Sequence, residues 1–168
     1  MSRENLQNRE AVEKLKEMVN HIGISMLSTF PKQQEYPHSV PMSQQAIDDE
    51  GAIWFLFSAE SESYRHLLEN KKVSVTFSDP QDYKFLSING IAEVFNNDVL
   101  IDKYWNQYAE AWFEKGKEDP HIRILKVVPQ EAHYWDKKNN KLMTMFKIAV
   151  SAVTGKQTDI GLQGDLEV

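Results

Sequence analysis

The most constraining feature of the sequence is a change of hydrophobic period at Gly23. Before this glycine, apolar residues recur every three or four positions. After it they alternate with polar residues or form short runs, which is typical of β-strands. Three such runs follow one another between residues 24 and 57, ISMLSTF, HSVPMSQQAI and AIWFLF. The last two are separated by DDEG, a glycine-containing turn that predicts a β-hairpin.

The strand pattern continues with VSVTF and, after a DPQD turn, with KFLSINGIAEVF. Asn89-Gly90 interrupts this last run, and a glycine inside a strand indicates a bulge that bends the strand, as a barrel wall requires. Two closing strands are predicted at VVPQEAHYWD and LMTMFKIAV. Since neither βαβ alternation nor a glycine-rich phosphate loop is present, the sequence predicts an α+β fold with a six- to seven-stranded antiparallel barrel.

Three helices are expected to flank these strands. An apolar stripe over about residues 5–22 predicts an amphipathic helix that stops at Gly23. SAESESYRHLLEN begins with serines suited to helix capping. Residues 97–116 carry Leu100, Tyr104, Tyr108 and Trp112 at helical spacing. The tail from about Thr154 is expected to be loosely ordered, and residues 1–168 are predicted to form one domain.

Composition limits the partners and the chemistry. The 168-residue chain has a formal net charge of -6 and a pI near 5.4, which argues against a nucleic-acid or anionic membrane surface. The absence of cysteine excludes disulfides and thiolate chemistry and suits the cytoplasm. The apolar runs are too short to span a bilayer. The five histidines lack metal-ligand spacing, so no metal site is predicted.

The stretch WNQYAEAWFEKGKEDPHIRILKVVPQEAHYWD closely resembles general stress proteins of the pyridoxamine 5'-phosphate oxidase-like group. The shared positions are Trp105, Trp112-Phe113, Gly116, Asp119-Pro120, Pro129, Ala132 and Tyr134-Trp135, with Pro41-Met42, Gly51, Trp54-Phe55, Val73 and Gly90 in the right order upstream. The resemblance covers about residues 10–155. It implies a split β-barrel that forms a homodimer and binds FMN in clefts at the subunit interface.

The resemblance also implies which residues meet the cofactor. Proteins of this group hold the flavin phosphate with an arginine immediately before the Pro-Met pair and with a lysine early in the following helix. Here those places hold Val40 and Ser63, or Tyr64 if the alignment slips by one. A threonine that often follows the Trp-Phe pair by two residues is replaced by Phe57. An apolar residue at position 40 suits a flatter, less charged molecule.

The candidate flavin site therefore combines the retained and the altered positions. It comprises Val40, Pro41, Met42, Ser58, Ser63, Arg65 and Trp105 of the partner subunit. Arg65 is equally well interpreted as a replacement phosphate anchor or as a solvated helix charge.

Three functions follow from this resemblance. The first is an FMN-binding general stress protein, with a possible flavin-dependent oxidoreductase activity on an unknown substrate. The second is a cofactor-free split-barrel dimer with a degenerate pocket, acting as a binding or stress-associated module. A true pyridoxamine phosphate oxidase is the weakest candidate, because TGKQTDIGLQGDLEV lacks the arginines of the substrate-binding C-terminus in such enzymes.

Overall fold

The structure is a computed structural model, which describes residues 2–3, 6–106, 109–137 and 161–167. The elements are β1 (Ser2–Arg3), β2 (Leu6–Gln7), α1 (Asn8–Ile22), β3 (Ile24–Thr29), β4 (His38–Ile47), β5 (Ile53–Ser58), α2 (Glu62–Glu69), β6 (Lys72–Asp79), β7 (Lys84–Phe95), α3 (Asp98–Tyr104), β8 (Ile122–Lys137) and β9 (Gly161–Glu167). Two 3-10 turns, Ala109–Ala111 and Gly116–Glu118, lie between α3 and β8.

Six antiparallel strands close into a barrel, in the order β8-β5-β4-β3-β6-β7 with β7 pairing back onto β8. The predicted α+β split barrel with flanking helices is therefore confirmed. The interior is filled by the alternating side chains of these strands and by one face of α1, which contributes Ala11, Leu15, Met18 and Val19. Within the described part of the chain, no helix has both the length and the apolar character needed to cross a bilayer.

Strand β9 corrects one expectation from the sequence. The tail was expected to be loosely ordered, but residues 161–167 pair antiparallel with the end of β8, from Ala132↔Leu166 to Lys137↔Gly161. Strands β1 and β2 then pair parallel with β9. Leu166 is buried in the core, which explains why this polar, glycine-containing segment is held in place. The rest of the tail, and the strand predicted over residues 142–150, lie outside the described residues.

The predicted hairpin at DDEG is present and is organised by one carboxylate. Asp48 accepts hydrogen bonds from the amides of Glu50 and Ala52 and from the indole nitrogen of Trp54. Gly51 adopts a positive φ of 83°, which glycine allows without strain. These bonds fix the register between β4 and β5 at the turn.

The predicted bulge at Asn89-Gly90 lies where β7 closes the barrel against β8. The pairing register shifts between Asn89, opposite Glu131, and Gly90, opposite Pro129. A Cβ at position 90 would lie 2.6 Å from the carbonyl oxygen of Val128. Because that distance is far below van der Waals contact and involves backbone, only glycine lets the two strands approach this closely.

An ion quartet joins α1 to the barrel. Asp136 Oδ2 lies 2.5 Å from Lys14 Nζ and 3.1 Å from Lys84 Nζ, while Glu17 lies 3.0 Å from Lys14 and 2.7 Å from Lys84. Burial alone would raise the pKa of the Asp136 carboxyl, but hydrogen bonds and charge from the two lysines outweigh burial and lower it. Burial alone would likewise lower the pKa of Lys14, and the two carboxylates raise it instead.

Replacing Gly90 tests the close approach at the bulge. We expect Gly90→Ala to lower the free energy of unfolding by about 2 kcal/mol, because the added methyl group must displace backbone. Asn89→Ala, which changes the exposed neighbouring side chain, should change it by less than about 0.5 kcal/mol. Urea titration followed by tryptophan fluorescence measures both values. Equal stability of the two variants would show that the bulge tolerates a side chain.

Because of the ion quartet, the stability difference between the wild-type protein and an Asp136 variant should depend on pH. Because the Asp136 pKa lies below its unfolded value of about 3.9, its stabilisation is complete above that pH and disappears as the pH falls through the folded pKa. Asp136→Asn should therefore lower the free energy of unfolding by about 3 kcal/mol at pH 7. The gap between variant and wild type should narrow below about pH 4, where the carboxyl of the unfolded wild-type chain binds a proton, and should close as the pH falls through the lower folded pKa.

Denaturant titrations at neutral and acidic pH measure this gap. Glu13→Gln, which removes an exposed ion pair with Arg9, is the control and should have little effect at either pH. A gap for Asp136→Asn that is equally large at both pH values would contradict the assignment.

Candidate functional site

The site is built where β4 and β5 separate. Their ladder runs from Ile47↔Ile53 to Gln44↔Phe55, with a register shift between Gln44 and Ala46. Residues 38–43 of β4 continue to pair with β3. On its other side this half of β4 has no β5 partner in the ladder. Pro41 is tolerated at such a position because it has no amide hydrogen to donate.

A cavity of about 330 Å³ occupies this separation. Its described lining comes from β4, β5, the start of α2 and the segment after α3: His38, Val40, Pro41, Met42, Ser43, Gln45, Leu56, Phe57, Ser58, Ser61, Glu62, Ser63, Ala109, Trp112 and Phe113. The volume lies at the lower end of the range for small-molecule sites. Most of the exposed lining is apolar, as such sites usually are.

One wall is formed by the turn into α2. Ser61 caps the helix: its Oγ accepts from the amide of Tyr64 at 3.2 Å and donates to the carbonyl of Ser58 at 2.7 Å. Ser58 Oγ accepts from the amide of Glu60 at 3.1 Å. Ser63 is 3% exposed. The hydroxyls of Ser58 and Ser61 are therefore engaged in holding the turn, as expected for residues that cap helices.

The aromatic wall comes from the segment that follows α3. One helix was predicted over residues 97–116, and this prediction is wrong: α3 ends at Tyr104, and Trp105 is extended. Residues 107–108, including Tyr108, lie outside the described part. Asn106 explains the departure, because its Nδ2 donates to Gln45 on β4 at 2.5 Å and its Oδ1 accepts from the Ala109 amide.

Two aromatic rings of this segment reach the cavity. Phe113 is buried and packs against the Trp105 ring, with centroids 5.9 Å apart. Trp112 is 77% exposed at the rim. A large ring left in solvent beside a cavity is suited to covering a bound molecule or a second subunit.

The charges at the cavity are few. Among its described lining residues there is no lysine or arginine, and the ionisable side chains are His38 and Glu62. His38 Nδ1 lies 3.5 Å from the Glu62 carboxylate, and its ring meets that of His66 edge-on at 5.3 Å. His66 is held in turn by Thr29 at 3.0 Å.

Five of the seven residues predicted from the sequence line this cavity: Val40, Pro41, Met42, Ser58 and Ser63. The other two are not among its described lining residues. Arg65 is 65% exposed and faces Glu62 at 3.7 Å. Trp105 is half-buried and packs against the apolar cluster of its own chain that contains Trp54 and Tyr104.

The sequence analysis missed His38, Gln45 and Glu62. The alternation of side chains along a strand could have indicated His38, because it lies on the same face as Val40 and Met42. Nothing in the sequence distinguishes Glu62, since an acidic residue in the first turn of a helix is ordinary. Gln45 lies at the register shift, which displaces it from the strand alternation.

A second group of polar residues gathers away from the cavity. His21 Nε2 lies 3.1 Å from Asp79 and 3.2 Å from Asp82, and the three could hold a metal ion. The sequence spacing did not reveal this group. Lys137 Nζ lies 3.0 Å from Asp82, so ion pairing already accounts for the arrangement.

Residues 10–159 match the family model of proteins described as pyridoxamine 5'-phosphate oxidase like. The chain belongs to this family. The predicted family assignment is thereby confirmed.

Individual relatives agree with the family assignment. The chain is 25% identical over 146 residues to protein bli-3 of Neurospora crassa, covering 81% of this chain and 69% of that protein. Its structure resembles a protein assigned as general stress protein 26 from Jannaschia sp. CCS1, with a TM-score of 0.75, 23% identity, and 95% and 98% of the two chains covered. It also resembles the general stress FMN/FAD binding protein of Xanthomonas citri, with a TM-score of 0.66, 28% identity, and 79% and 93% covered.

Proposed function

We propose that this protein is a flavin-binding general stress protein whose flavin ring occupies the cavity between β4 and β5. The observation that carries the proposal is the coincidence of an apolar cavity, lined by Val40, Met42 and Phe57, with the positions that the family resemblance assigns to the cofactor. A flat, aromatic isoalloxazine ring suits such walls. The FMN/FAD binding named for the Xanthomonas citri protein supports the same proposal.

The ring would be held by Val40, Pro41, Met42 and Phe57, with Trp112 at the rim. When bound, flavin supplies hydride or electron transfer, and the protein orients it and limits access of water. That chemistry is the basis on which we propose an oxidoreductase activity on an unknown substrate. Among the described lining residues, His38 and Glu62 are the side chains that can gain or release a proton.

A homodimer is the proposed assembly, with the cavity at the seam between subunits. The outer faces of β3 and β4 expose Ile24, Met26 and Pro41, and Met26 stands directly opposite Pro41 in the ladder. Pro41 also lines the cavity. This apolar face is thus continuous with the site, and a second copy covering it would bury both together.

Trp112→Ala tests the location of the ring. We expect the variant to bind FMN about fivefold more weakly, because an aromatic contact contributes about 1 kcal/mol beyond burial. Quenching of flavin fluorescence during titration with protein measures the affinity. Tyr36→Ala is the matched control: this aromatic residue is also exposed but does not line the cavity, and its loss should leave the affinity unchanged. Equal losses in both variants would contradict the proposed location.

Met26→Glu tests the assembly. A carboxylate in the proposed interface should convert the dimer to monomer at micromolar concentration, because a charge would be buried without a partner. Light scattering coupled to gel filtration measures the mass. Leu68→Glu places the same charge on an exposed apolar residue of α2 and should leave the dimer intact. A wild-type protein that is monomeric throughout would remove the dimer from the proposal.

The alternative, a cofactor-free barrel, has one observation in its favour: the described lining has no lysine or arginine to pair with a phosphate. Wild-type protein that quenches neither riboflavin, FMN nor FAD would establish this alternative and reject the flavin proposal.

A further inference from the structure

The charged residues at the cavity are not suited to FMN, the phosphorylated flavin that the family resemblance implies. The phosphate of FMN carries nearly two negative charges at neutral pH and is bound in proteins by charge-assisted hydrogen bonds. The described lining of the cavity offers no lysine or arginine, and it does contain the carboxylate of Glu62. The residues present therefore fit the flavin ring but not its phosphate.

Two of the polar groups at the start of α2 are already committed within the chain. The single hydroxyl proton of Ser61 is donated to the Ser58 carbonyl, so it is not available to an anion. The amide of Tyr64 is already capped by Ser61. Glu62 occupies the first turn of the helix, where an anionic ligand would otherwise be stabilised, and it would repel one.

Arg65 is also poorly placed to serve the phosphate. Its guanidinium lies 3.7 Å from Glu62, and its side chain is mostly exposed on α2. To reach a phosphate it would have to leave this carboxylate, which would remain beside the ligand with His38 Nδ1 at 3.5 Å as its described neighbour. The repulsion from Glu62 would reduce any gain from the arginine.

We infer that this site recognises the isoalloxazine ring and not the terminal phosphate, so that riboflavin binds at least as tightly as FMN. The inference rests on the proposed function, since it concerns the same cavity. It assigns to the site an uncharged, flat heteroaromatic ligand class. It also implies that FMN affinity does not fall with added salt, because the described lining offers no lysine or arginine whose attraction salt could screen.

The test is a pair of titrations of the full chain with riboflavin and with FMN, followed by flavin fluorescence at low and at physiological salt. We expect the ratio of the riboflavin Kd to the FMN Kd to be about one or lower. Two charge-assisted contacts to the phosphate would instead give a ratio of about 100. A ratio above about ten overturns the inference while leaving the flavin proposal in place. If neither riboflavin nor FMN binds, the flavin proposal itself is rejected.

Variants make the ratio diagnostic. Val40→Arg introduces a cation into the lining and should raise the ratio of the riboflavin Kd to the FMN Kd about tenfold or more. Val99→Arg is its control. It makes the same change at an exposed site outside the described lining and should leave the ratio at the wild-type value. Glu62→Gln should raise the same ratio by a smaller factor. Because this change does not enlarge a side chain, it still tests the inference if Val40→Arg fails to fold. Glu69→Gln, on the same helix but outside the lining, is its control.

Arg65→Ala tests the remaining possibility, that Arg65 binds the phosphate. If wild-type protein prefers FMN and Arg65→Ala abolishes that preference, Arg65 is the phosphate anchor and the inference is wrong. If the ratio stays near one in both proteins, the phosphate is not recognised through Arg65.

Discussion

The close approach of β7 to β8 at Gly90 is the constraint on which the rest of the structure depends. The register shift at Asn89-Gly90 bends β7, and the missing side chain admits the Val128 carbonyl into the space a Cβ would fill. That contact closes the ring of six strands. Because β8 also pairs with β5 and β9, its position sets both the wall of the barrel and the place where the C-terminal strand is added.

Once the barrel is closed, the separation of β4 from β5 becomes the natural place for a ligand. The two strands are fixed to each other near the Asp48 turn and lose their ladder beyond Gln44. The half of β4 that has no β5 partner carries Pro41, which lacks the amide hydrogen that a strand on that side would require. The cavity is thus a consequence of hairpin geometry, and its apolar character follows from the side chains on those two strands.

The distribution of charge separates stability from binding in this chain. Lys14 and Lys84, two of the least exposed cations described, are both committed to Asp136 and Glu17, where they tie α1 to the barrel. The cavity, by contrast, contains one carboxylate and one imidazole among its described ionisable groups. These two poorly exposed lysines therefore serve to hold the fold together, and the ligand site relies mainly on apolar and aromatic contacts.

The sequence by itself determined the local elements: the α1 stripe ending at Gly23, the DDEG hairpin and the bulge at Asn89-Gly90 all follow from residue type and spacing over a few positions. It also indicated five residues of the cavity through a family resemblance. Only the tertiary structure decided the end of α3, because Asn106 bonds to Gln45, 61 positions away. The same holds for β9, for the Lys14–Asp136 pair, and for Glu62 and His38 meeting at the cavity. These depend on contacts between segments far apart in the chain, and no local pattern encodes such contacts.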